Sequence, residues 1–148
     1  MNHTIDSIHK SEYQEVVAVW EASVRATHHF LKEEDIQYFK PRILNIYLDA
    51  VDILCIRNEK KEIIGFIGVA AHNLEMLFIH PDYRGKSIGK SLLNFALKNM
   101  QVTKVDVNEQ NEQALGFYKH FGFHVVNRSE VDASGKPYPI LHMELKNK

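Results

Sequence analysis

The chain has 148 residues, 45% of them apolar, and a formal net charge of -1. That length suits one domain spanning residues 1–148 and can bury about 70% of the unfolded surface. Near-neutral charge without a basic and aromatic repeat argues against a nucleic-acid partner, and no apolar run is long enough to cross a bilayer.

The opening residues Met1 to Asp6 carry no signal-peptide core, so the expected location is the cytoplasm. Ile5 and Ile8 lie in a short opening strand. Ser11 reads as a helix N-cap, with Glu12 and Glu15 in the first turn, where the dipole favours acids. Val16, Val17, Val19, Trp20 and Val24 recur at helical spacing and predict a helix over 12–26. A second helix begins near Glu33 and carries Ile36, Phe39, Ile43, Leu44 and Tyr47. Pro41 is expected to kink or split it.

Strands are then predicted over 53–56, 63–71 and 74–79, with a turn at 58–61 between the first two. Cys55, the only cysteine, sits in the first of these and reads as a buried structural thiol. Gly65 and Gly68 interrupt the next strand, which fits a bulge or the close approach of another group. A helix over 87–100, a strand over 102–107 and a helix over 112–121 closed by Gly122 follow. Val125–Val126 and residues 140–145 form closing strands. The order predicts a three-layer α/β domain with a mixed sheet.

The most informative stretch runs from Leu77 to Leu93. An apolar strand enters a basic, glycine-containing turn, and an amphipathic helix starts at once. Helix starts offer unpaired N–H groups and the positive end of the dipole. Gly85 and Gly89 admit a bulky anion to the backbone, and Arg84, Lys86 and Lys90 add charge. The turn fits a phosphate or pyrophosphate cradle; it also fits a solvated basic cap on a surface helix. It is neither a Walker loop nor a dinucleotide fingerprint.

With Arg84, Ser87 and Gly89 at three defined positions, the turn resembles the pyrophosphate loop of the GCN5-related N-acetyltransferase (GNAT) family. Ser87 departs from the usual glycine, and the expectation is an ordinary negative φ with its N–H still given to a phosphate. A second segment is similar to another family pattern at Asn111, Ala114, Phe117, Tyr118, Gly122 and Phe123. Small bacterial members also share Ala26-Thr27-His28, Asn108 to Ala114 and Gly135 to Pro139.

The resemblance implies a GNAT fold whose fourth and fifth strands diverge, and an enzyme that moves an acetyl group from acetyl-CoA to an amine. It implies donor contacts at Leu77, Phe78, Ile79, Arg84, Gly85, Lys86, Ser87, Ile88, Gly89, Lys90 and Asn111. Pantetheine would bond the backbone at Leu77 and Ile79, and the Leu77 N–H would face the thioester carbonyl. Tyr118 stands where the family places the acid that protonates the thiolate; it also fits a packing tyrosine. Glu75 and His28 (with its neighbour His29) are candidate bases, and each also fits a solvated polar role. Adjacent histidines diverge on a helix and no ligand set accompanies them, so no metal is expected. Arg128, Asp132, Lys136 and Tyr138 read as a polar hairpin turn, solvated or touching the acceptor. The acceptor is a small-molecule or peptide amine, and a homodimer fits the family habit. An acyl-CoA-binding regulatory module without turnover is the competing reading, and Tyr118 weighs against it.

Overall fold

The computed structural model describes residues 3–146. Seven strands form one sheet: β1 (Ile5–Ser7), β2 (Asp52–Arg57), β3 (Ile63–Ala70), β4 (Asn73–Ile79), β5 (Lys104–Asn108), β6 (Phe123–Ser129) and β7 (Ile140–Leu145). Their order is β1-β2-β3-β4-β5-β7-β6. Every neighbouring pair is antiparallel except β4 and β5. Helices α1 (Tyr13–Thr27) and α2 (Glu33–Arg42) cover one face, and α3 (Ile88–Asn99) and α4 (Glu112–His120) cover the other.

Each face has its own apolar core. Val16, Trp20 and Val24 of α1 pack with Cys55, Phe66 and Met76. Leu92, Leu93 and Ala96 of α3 pack with Ile67, Leu74, Val105 and Val107. Both layers bury the apolar stripe that the 3.6-residue period marks out. Cys55 is buried, as expected, and loss of hydration pushes its thiol pKa up to about 11.

Three local expectations are corrected. Ser11 does not cap a helix; it lies inside a 3-10 turn over Lys10–Glu12 that leads into α1. The Glu12 carboxylate instead accepts the His9 N–H at 3.0 Å. Arg57 on β2 also binds that carboxylate and holds its pKa down at about 2, tying the helix start to the sheet. Pro41 does not split α2. The helix continues to Arg42 and widens into a π-turn over Ile43–Tyr47, a common accommodation of a disturbed ladder. The Arg42 guanidinium donates to the Tyr38 carbonyl at 2.7 Å, supporting the turn that Pro41 weakens.

Ser87 departs from the expected negative φ. Its φ is +64°, in the left-handed region, and Gly85 has φ +77°. A short 3-10 turn (Pro81–Tyr83) must reverse into α3 within a few residues, and two left-handed positions make that reversal. The glycine usual in the family is thus the residue the geometry prefers. Serine bears a strain on the order of 1 kcal/mol there.

Candidate active site

Strands β4 and β5 pair only at Asn73–Lys104 and Leu74–Val105. Beyond Leu74 they separate. The β3–β4 register skips Glu75, because Gly68 faces Met76 while Val69 faces Leu74. Glu75 is therefore the extra residue of a β-bulge. The bulge explains why Leu74 enters one core and Met76, two residues on, enters the other. Gly65 and Gly68 serve close approach: a Cβ at Gly65 would lie 2.8 Å from Ile88 at the start of α3, and one at Gly68 would lie 2.9 Å from Val51.

The divergence leaves one edge of β4 open. The His80 N–H bonds back to Ile64 of β3 at 2.9 Å. By alternation Phe78 also directs its backbone groups to β3, while Leu77 and Ile79 direct theirs toward the gap.

Two cavities meet at this gap. One, of about 270 Å³, is lined by Ile79, Arg84, Gly85, Ser87, Ile88, Gly89 and Lys90, with Phe117 of α4 opposite. The other, of about 790 Å³, opens on the α1–α2 face and is lined by Glu75, Asp106, Ser129, Tyr138 and His142 among others. His28, Leu77, Phe78, Asn111, Ala114 and Tyr118 line both and so mark the junction. Lys86 is the one residue of the 84–90 turn outside the smaller cavity's lining. Its carbonyl bonds His3 Nε2 at 2.8 Å. A Cβ on Gly89 would meet Ile79 and Phe117, each at 3.8 Å, so that position faces the cleft wall between β4 and α4.

Tyr118 is buried by α4 packing, edge-on to Phe117 and Phe123. Burial raises its phenol pKa above the ordinary value, so the hydroxyl keeps its proton. Glu75 has its pKa raised by partial removal from water, with the Asp106 charge adding in the same direction.

His28 is held by a chain of bonds. The Thr27 hydroxyl donates to the Ser23 carbonyl at 2.8 Å. Its one proton is then committed, and it accepts from His28 Nδ1–H at 2.8 Å. Nε2 therefore carries the lone pair, and it faces Asn111 Nδ2 at 3.4 Å. Asn111 Oδ1 caps α4 by accepting the Ala114 N–H. Burial pushes the His28 pKa down to about 4, with the Arg84 charge in support. A ring held neutral so firmly is a poor proton acceptor and a good fixed hydrogen-bond partner.

The hairpin loop after β6 is docked rather than solvated. Lys136 Nζ reaches the buried Asp35 of α2 at 2.8 Å, and the Tyr138 hydroxyl donates to the same carboxylate. Asp132 accepts the Ser134 and Lys136 N–H groups, both at 2.9 Å. The loop thereby walls the larger cavity. Arg128 is turned away, paired with Glu109. Asp106, Ser129 and His142, which also line that cavity, carry no motif signal; only strand alternation on three separate segments would group them. Among the described residues, no cluster of three or more His, Cys, Asp or Glu side chains is placed to hold a metal. No described helix is long and apolar enough to cross a membrane.

Residues 11–146 match the family model described as an acetyltransferase (GNAT) domain. The chain belongs to the GNAT acetyltransferase family. It is 42% identical over 132 residues, 89% of each chain, to the peptidyl-lysine N-acetyltransferase YjaB of Escherichia coli K12. The solution structure of apo YjaB from Escherichia coli superposes with a TM-score of 0.88, covering 100% of both chains at 39% identity. The paia N-acetyltransferase of Thermoplasma acidophilum, solved with coenzyme A, superposes with a TM-score of 0.74 at 26% identity, covering 99% of this chain and 100% of that one. The protein is thus an enzyme that transfers an acetyl group from acetyl-CoA to an amine. In GNAT terms the diverging β4 and β5 are the expected fourth and fifth strands.

Proposed function

We propose that the enzyme acetylates lysine side chains of peptides or proteins, with the donor in the smaller cavity and the acceptor in the larger. The observation that carries this reading is the junction. Leu77 on the open edge of β4 and Tyr118 line both cavities, while Ile79 and the α3 turn line the smaller one beside them. The resemblance to peptidyl-lysine acetyltransferases supplies the acceptor class.

In this reading the pyrophosphate rests on the backbone at Arg84, Gly85, Ser87, Ile88 and Gly89, with the Arg84 and Lys90 charges beside it. Lys86 adds charge from outside. Pantetheine adds to the open edge of β4 in the manner of an extra strand, bonding Leu77 and Ile79. Phe78, between them, packs from the α1 side. Asn111, steadied by His28, fixes the arm from α4. The Leu77 N–H stabilises the oxyanion. The acceptor, deprotonated to the free amine, attacks the thioester carbon and sheds a proton as the amide forms, the C–S bond breaks, and the thiolate takes the Tyr118 proton. Glu75 meets the incoming ammonium, and the neutral His28 orients rather than accepts protons.

Acetyl-CoA-dependent thiol release, compared between lysine-containing peptides and free polyamines, tests the acceptor class. The expected result is faster release with the peptides and a 42 Da gain on lysine, the acetyl increment at about that mass. Release with polyamines alone would overturn the peptide assignment.

A further inference from the structure

The acetyl-transfer roles above leave unused a hydrogen-bonded chain across three adjoining strands. His142 on β7 stands opposite Asp106 on β5, and Ser129 lies at the end of β6. Val105 and Val107 enter the α3–α4 core, so Asp106 between them points to the other face, into the larger cavity. His142 Nδ1 lies 2.7 Å from Asp106 Oδ1. His142 Nε2 lies 2.7 Å from Ser129 Oγ.

The direction of these bonds follows from their chemistry. A carboxylate only accepts, so His142 Nδ1 carries the ring proton. Nε2 is then a lone pair, and the Ser129 hydroxyl donates to it. A hydroxyl, a base and an orienting carboxylate in one line make up an activated proton acceptor. The line is accessible: the His142 and Asp106 side chains are 34% and 43% exposed. Leu77 lines the same cavity, so the chain and the oxyanion position share one space.

We propose that Ser129, His142 and Asp106 form a relay that receives the proton the acceptor amine loses on acetylation. The proposal rests on the lysine-acetylation reading. As the acceptor nitrogen bonds to the thioester carbon, its proton passes to Ser129 Oγ, and the Ser129 proton passes to His142 Nε2. The C–S bond breaks and the thiolate is protonated by Tyr118. Asp106 stays bonded to Nδ1–H while the ring is charged; the imidazolium later returns its proton to water, and the Tyr118 phenolate takes one back from water. Ser129 touches the amine; His142 and Asp106 act through it.

Other ionisable groups border this face. Alternation places Lys104 on β5, Glu144 on β7 and His124 on β6 beside the relay. Glu75 of the β4 bulge, Asp132 of the hairpin loop and His28 after α1 line the cavity. Carboxylates outnumber lysine in this set, which suits a cationic acceptor. Glu75 contributes to holding the incoming ammonium, which gives one proton to water before attack; the relay takes the second as the amide forms.

Two measurements test the relay. Nitrogen-15 NMR of the imidazoles in the free enzyme should show His142 as the Nδ1-protonated tautomer at alkaline pH. An Nε2-protonated ring would overturn the relay whatever the acceptor proves to be. In amine-dependent thiol release with a lysine peptide, His142→Asn should lower kcat about 100-fold and remove the acid limb of the pH profile. The KM for acetyl-CoA should be unchanged. Ser129→Ala should slow turnover about tenfold at the same acetyl-CoA affinity, and Ser129→Thr should restore it. A His142→Asn enzyme with wild-type rate and an intact acid limb would overturn the proposal, as would a limb lost only in Glu75→Gln. A wild-type enzyme that ignores lysine peptides would count against the acceptor reading alone, with the tautomer still deciding the relay.

Discussion

Tyr118 is buried and His28 half-buried at the same junction, and loss of water gives them opposite tasks. Desolvation disfavours whichever form is charged. The phenol therefore holds its proton, as the proposed acid requires, and the imidazole refuses a second one. Tyr118→Phe should keep the fold and acetyl-CoA affinity and lower kcat by roughly ten- to a thousandfold. Near-normal turnover at every pH would leave Tyr118 a packing residue. For His28 the sign follows from its depressed pKa. Its contribution to stability is complete above the unfolded value of about 6.5. It is lost as pH falls toward the folded value of about 4. Thermal melts of wild type and His28→Gln across that window should show the steeper decline in wild type; parallel curves would contradict the neutral, half-buried ring. Ser87 shows where residue identity misleads. Serine ahead of a helix reads as a cap with negative φ, yet the chain reversal between Tyr83 and Ile88 imposes φ +64°. That demand belongs to the turn as a whole and is invisible in the one residue.

Among the elements, β4 and α3 do most to make the site. The apolar period placed strands and helices close to where they lie, because each buries one face against the sheet. The basic turn and the 111–123 segment were legible because their residue types are tied to backbone shape. The bulge was not. Alternation alone would put Leu74, Met76 and Phe78 on one face, and only the pairing with β3 shows that Glu75 is extra. Pro41 likewise marked a disturbed helix without saying that a π-turn would absorb it. The Gly89 environment carries a prediction. A Cβ there makes ordinary contact with Ile79 and Phe117, so Gly89→Val should fold normally while its methyls narrow the cleft between β4 and α4. Calorimetric titration should show acetyl-CoA bound more weakly by Gly89→Val than by Arg84→Ala, which removes only an exposed charge. The reverse order would place the donor elsewhere.

At the scale of the whole molecule, the two cores hold the sheet from both sides while its middle opens. The β4–β5 divergence creates an unpaired strand edge inside the protein. The α3 turn stands at one end of it and the larger cavity at the other. The Asp35–Lys136–Tyr138 lock fastens the hairpin loop to α2 and completes the cavity wall. Asp35 lies about a hundred residues before Lys136 and Tyr138, so the lock emerges only from the fold. The central claim is that this internal edge receives the donor. Backbone amide shifts of the labelled enzyme, followed as coenzyme A is added, test it most directly. The largest changes should fall on the amides of Leu77 and Ile79 and on residues 84–90, with Asn111 also shifting. Changes confined to other surfaces, with β4 and the α3 turn unmoved, would contradict the account.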